Sequence, residues 1–191
     1  LTGKRRETGR KTIWNSFLVS LSYKWREVFG FFGIFLALSI PLYLLIYTKA
    51  DFTFAQTEVA RQLAFISRLV GNPAISDGYL VRSGNVVLEV IEACVAWKDI
   101  FAFIALVLAV PNRSLRAKAI GIVLGSIGIY LANLARLLTV LLVAINEPSL
   151  AEVVHSVLWK FGMISIILVF WIIWLGLSGK GINTEKAAPK E

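Results

Sequence analysis

The chain holds one cysteine, one histidine and one methionine in 191 residues, and charged side chains make up only 17% of it. A single cysteine, Cys94, excludes an intramolecular disulfide and a multi-cysteine metal site, and a single histidine, His155, excludes a multi-histidine one. No metal and no cofactor is therefore expected. So little charge, set against 57% hydrophobic residues and a mean hydropathy of +0.72, is wrong for a water-soluble fold and excludes a disordered chain or a fibrous repeat. What the sequence has instead is runs that are apolar all the way round a helix, over residues 29–47 and 156–177. They predict an integral membrane protein. The net charge of +8 then reads as orientation within a membrane, with no nucleic-acid partner expected.

The basic residues order the rest of the chain. Residues 1–28 carry seven Lys and Arg against Glu7 and Glu27, a segment that the positive-inside rule keeps in the cytoplasm. Residues 29–47 form the first expected span, with a kink at Pro41. Residues 48–93 are the only long polar stretch and are expected outside. Within them Val59, Leu63, Ile66 and Val70 recur at helical spacing, predicting an amphipathic helix on the outer membrane surface. Gly71-Asn72-Pro73 ends it, and residues 79–82 and 86–89 flank Ser83-Gly84-Asn85 as the arms of a small hairpin. A second span over residues 91–111 returns to a basic inner turn with Arg113, Arg116 and Lys118. The third run, residues 119–145, is interrupted by Asn133 and Arg136 and carries a stripe of Gly121, Gly125, Gly128 and Ala132 suited to close helix contact. Asn146-Glu147-Pro148-Ser149 ends it outside, residues 156–177 form the fourth span, and a tail with Lys180, Lys186 and Lys190 lies inside. The fold class is thus all-α: a polytopic transmembrane helical bundle of about four spans, with a small extracytoplasmic amphipathic helix and hairpin. Its divisions are a basic cytoplasmic segment over 1–28, a membrane-embedded catalytic domain over 29–177 with its outer loop at 48–93, and a cytoplasmic tail over 178–191.

Depth along each span follows from helical rise. Measured from the inner anchors Pro111, Lys118 and Gly176, Cys94, Arg136 and His155 lie about 25, 27 and 31 Å away, so all three reach the outer boundary from different helices. Singly, each has a plain role: a buried cysteine packs as a small hydrophobe, a histidine sits at an interface, an arginine snorkels to lipid phosphate. Together they supply nucleophilic catalysis. A cysteine attacks carbonyls as its thiolate, a neighbouring imidazole takes the proton and returns it to the leaving amine, and a guanidinium holds the oxyanion. Asn133, one helical turn before Arg136, joins it in a polar island. Glu92, two positions before Cys94, is placed to meet a cationic group, and Lys98 lies about one turn deeper than the thiol. Two other readings stay open: a non-catalytic membrane scaffold in which Arg136 pairs with Asp99 and Cys94 packs, and a small transporter whose anion path Arg136, Lys98 and Lys160 line.

Glu92-Ala93-Cys94 opening a span, the Pro111-Asn112-Arg113 inner turn, Asn133-Leu134-Ala135-Arg136 in the next span and His155 opening the last resemble the exosortase/archaeosortase membrane transpeptidases, in particular their compact, archaeosortase-like members. The resemblance implies a polytopic enzyme of the cell membrane, its site at the extracytoplasmic face. Such an enzyme cleaves surface proteins whose C-terminal signal is a short motif, a transmembrane helix and a basic tail, and passes the acyl group to an acceptor such as a membrane lipid. It implies Cys94 as nucleophile, with Arg136 and His155 completing the site. After the cysteine the family usually has a small polar residue and then glycine, where this chain has Val95 and Ala96.

Overall fold

The longest apolar run folds as one helix around which everything else is arranged. The computed structural model describes residues 28–41, 43–44, 47 and 51–185; the basic segment before residue 28, Lys49, and the tail end with Lys186 and Lys190 lie outside them. In chain order the elements are α1 (Val28–Pro41), α2 (Thr53–Leu69), β1 (Ile75–Asp77), β2 (Leu80–Ser83), β3 (Val86–Glu89), a 3-10 turn (Glu92–Cys94), α3 (Trp97–Ala109), α4 (Leu115–Asn146), α5 (Pro148–Val157), a π-helical turn (Leu158–Gly162) and α6 (Met163–Glu185). The protein is mostly helical.

Helix α4 starts where Ser114 caps it, the hydroxyl accepting from the Ala117 N–H at 3.2 Å. Its 32 residues are about 48 Å long, and among the described residues it is the one helix long and apolar enough to cross a membrane alone. Its glycine stripe works as the spacing predicts: the rings of Trp174, Phe103 and Phe170 lie against Gly121, Gly125 and Gly128 in turn, where a Cβ would collide with them. This seats α3 and α6 on α4, and Phe103, Val107, Ile129, Met163 and Ile167 complete that core. The Trp174 indole donates to the Ala117 carbonyl at 3.0 Å. Helix α1 meets α6 through Phe31 and Trp171, 6.0 Å between ring centres. At the basic turn Lys118 donates to the Leu108 carbonyl (2.7 Å), an acceptor that the end of α3 leaves open, and Arg113 donates to the Ser178 carbonyl of α6 (3.3 Å).

A second core lies at the other end of α4, where Val59, Leu63, Val81, Val90, Leu134, Leu137 and Leu141 pack together. The apolar face of α2 is spent here. Val59, Ala60, Leu63 and Ala64 are buried against α4 and the sheet, while Val70 is exposed, so protein covers most of that face. Two polar ties hold it: Gln56 donates to the Val90 carbonyl (3.0 Å) and Tyr130 to the Gln62 amide oxygen (2.9 Å). The expected hairpin is β2 with β3, and a third strand, β1, extends the antiparallel sheet in the order β1-β2-β3.

Two span boundaries differ from expectation. Residues 91–96 are not α-helical: the Cys94 N–H closes a 3-10 turn on the Ile91 carbonyl (2.8 Å), and Ala96 then takes the left-handed conformation, φ 62°, so α3 starts only at Trp97. Residues 148–154, which lie between the expected third and fourth spans, are helical, with Pro148 in the first turn of α5, where its missing N–H costs nothing. The α5 helix runs on through the π-helical turn into α6.

Candidate active site

Cys94 is carried on a turn, not a helix, and α4 holds that turn. Asn133 is fully buried and its Nδ2 donates to the Cys94 carbonyl at 2.6 Å, so one side chain of α4 fixes the backbone of the only cysteine. Ala96 reverses the chain direction two residues later. One turn along the same face of α4 from Asn133 stands Arg136, 5% exposed, whose Nε and both terminal nitrogens have no hydrogen-bond partner. Its charge acts on Cys94, Asp99 and His155. The thiol is within side-chain reach of the guanidinium, yet no aligned hydrogen bond forms between them. No ion pair joins Arg136 to Asp99 either, the contact on which the scaffold reading depends. A buried cation with no partner is costly unless something else is to be bound.

His155 lies on α5, and together with Cys94 it lines a cleft of about 330 Å³ floored by Leu137 and Val140 of α4. One wall of that cleft is β3, and Glu152, one turn before His155, stands on the other without a hydrogen bond to it. Cys94 and His155 both lie outside the apolar helices α3 and α6. Burial pushes the Cys94 thiol up from its ordinary pKa, against the Arg136 charge, which pulls it down. Burial also lowers the His155 imidazole, and Arg136 lowers it further. Near neutral pH the cleft therefore holds a thiol and a neutral imidazole, the protonation state in which a histidine is ready to act as a base.

Glu92 and Lys98 are not part of this cleft. They form an ion pair with each other (3.2 Å), Lys98 lies 5.4 Å from the centre of the Trp97 ring, and both line a separate cleft of about 430 Å³ with Asp99 and Met163. Lys98 is thus neutralised by Glu92, and the expected meeting of Glu92 with a free cationic group is pre-empted by its own neighbour. Glu152 and β3, which line the cleft, are parts of it that sequence reasoning missed. Only Glu152 left a signal, the i, i+3 spacing to His155. Among the described residues no group of three His, Cys, Asp or Glu side chains is arranged to hold a metal ion.

No curated protein and no solved structure matched the chain. The transmembrane exosortase family matches residues 14–176, a stretch that contains every residue of the cleft. Because that match spans most of the chain, this chain belongs to the transmembrane exosortases, a family of membrane transpeptidases involved in sorting.

Proposed function

We propose that this chain is a membrane cysteine transpeptidase that cleaves the C-terminal sorting signals of surface proteins and transfers the acyl group to an acceptor, a membrane lipid. One observation carries the reading: Cys94 and His155 line the same cleft while the unpartnered guanidinium of Arg136 stands beside the thiol. His155 takes the thiol proton as sulfur attacks the scissile carbonyl carbon. Arg136 receives the charge that develops on the carbonyl oxygen, which gives its empty donors a partner in the transition state. The C–N bond then breaks, the leaving amine takes its proton from His155, and a thioester to Cys94 remains. An acceptor hydroxyl or amine attacks the thioester, losing its proton to His155, and the thiol is released.

In the membrane, four spans with both ends cytoplasmic put the cleft at the extracytoplasmic face. The basic N-terminal segment, the Arg113–Lys118 turn and the Lys-bearing tail all lie on the inner side in this arrangement, which supports it. The substrate is anchored in the same sense: its basic tail stays inside and its apolar helix lifts the motif to the level of Cys94. The test uses a tagged surface protein of the same cell that has a short motif, a C-terminal apolar helix and a basic tail. Its processing is expected to stop in Cys94→Ala, with the variant protein still folded and inserted, because the change removes the nucleophile and little volume. Processing at the wild-type rate in Cys94→Ala overturns the reading.

A further inference from the structure

The wall of the cleft opposite His155 has an unusual composition. All four residues of β3, Val86, Val87, Leu88 and Glu89, line it. Side chains alternate along a strand, so a face presents every second residue; four in succession mean that the cleft is bounded by the edge of the strand. The sheet order β1-β2-β3 leaves this edge unpaired. The register fixes which backbone groups it offers. Ser83 pairs with Val86 across a two-residue turn, Val81 pairs with Leu88, and the Val90 N–H bonds to the Tyr79 carbonyl at 2.9 Å. Residues 86, 88 and 90 therefore turn their N–H and C=O groups toward β2, and Val87 and Glu89 turn theirs outward. Five residues beyond Glu89, at the end of the same wall, is Cys94.

We infer that the free edge of β3 is the substrate-docking strand: the peptide around the scissile bond adds to it as a fourth, extended strand, hydrogen-bonded through its main chain to Val87 and Glu89, and this lays the carbonyl between Cys94 and His155. The inference rests on the transpeptidase reading and adds how the peptide is held. Strand addition takes its affinity from main-chain bonds and leaves side-chain choice to the flanking pockets. It accounts for a small sheet beside the nucleophile in an otherwise helical protein. It also unfolds the segment to be cut, which a protease requires and which a signal still helical would not provide.

The experiment takes a synthetic peptide spanning the motif and the start of the apolar helix of the tagged surface protein, with wild-type enzyme in nanodiscs. Each peptide N–H is replaced in turn by N-methyl. Methylation at alternate positions is expected to lower kcat/KM by roughly tenfold or more, while the positions between stay within about twofold, since only every second N–H faces β3. In parallel, Val87→Pro deletes one outward N–H without touching the pairing to β2, a change that edge strands tolerate, and is expected to lower kcat/KM by roughly tenfold. Ser76→Pro makes the same change on the outward side of β1 and is expected to process normally. Alkylation of Cys94 should be unchanged in both variants, which separates lost docking from a damaged site. A flat N-methyl profile, or Val87→Pro processing as well as Ser76→Pro, overturns the inference. Failure of the underlying reading looks different, because Cys94→Ala would then process the same peptide.

Discussion

Replacing Arg136 with methionine should make the protein more stable and leave it inactive. The guanidinium is 5% exposed and none of its nitrogens has a hydrogen-bond partner, so the folded state bears the desolvation of a cation, several kcal/mol even after relaxation. Little offsets it. Asp99 lies outside ion-pair contact, and at an effective dielectric constant of about 20 its attraction beyond 4 Å is worth less than about 4 kcal/mol. Methionine fills a similar volume, needs no partner and adapts to irregular space. A gain of about 1–4 kcal/mol is expected, as where buried charges elsewhere give way to apolar side chains. At roughly 2–4 °C per kcal/mol for a domain of this size, Tm should rise by several degrees. The assay is thermal unfolding in nanodiscs followed by the fluorescence of the six tryptophans, beside processing of the tagged surface protein. A Tm lowered by a similar margin would refute the reasoning: the guanidinium would then be holding the fold together rather than waiting for a ligand.

Further outcomes are expected at His155 and at Ala96. The acid limb of the wild-type pH–rate profile should fall below the ordinary histidine range, because His155 is held low and must lose its proton before it can act as base; His155→Gln should instead be slower by roughly two to four orders of magnitude and still climb above pH 9, because burial holds the Cys94 thiol high. Acylation rates with the synthetic peptide from pH 5 to 10 check this, and superimposable profiles would remove His155 from the mechanism. At Ala96, glycine relieves about 1–2 kcal/mol of left-handed strain but loses a buried methyl worth about 0.8 kcal/mol and some chain entropy, so Ala96→Gly should stay within about 1 kcal/mol of wild type. Ala96→Val, β-branched at φ 62° in a buried site, should lose more than about 2 kcal/mol in the same melts; equal stability would mean the turn is not left-handed.

Much of the fold could be read from the chain because its signals are local. Apolar runs gave the helix cores, the Pro111-Asn112-Arg113 turn lies between α3 and α4, and the Ser83-Gly84-Asn85 turn lies between β2 and β3. Helical rise put Cys94, Arg136 and His155 at one expected depth; the structure has Cys94 and His155 on one cleft, with the Arg136 charge acting on both. What escaped the sequence is non-local or chemically silent. Alanine is the best of helix formers, and nothing at Ala96 announces a left-handed residue; its place is the one where the family usually has glycine, and its φ of 62° is a physical reason for that preference. An apolar stripe such as that of α2 does not say whether lipid or protein will cover it. Strand β1, three residues long, is too short for a period to show. Glu92 and Lys98 are brought together only because the Cys94 turn bends the chain between them.

The π-helical turn between α5 and α6 gives one helix two independent headings. A π turn takes up one residue more than an α turn, which amounts to about 100° of helical phase. In α6, Phe170 and Trp174 must point at the glycines of α4; in α5, His155 must point at the cleft. In an unbroken α-helix a single azimuth would govern both, and any drift in the glycine packing would swing the imidazole with it. The extra residue acts as a vernier, letting the bundle settle on its own pitch while the histidine keeps its aim.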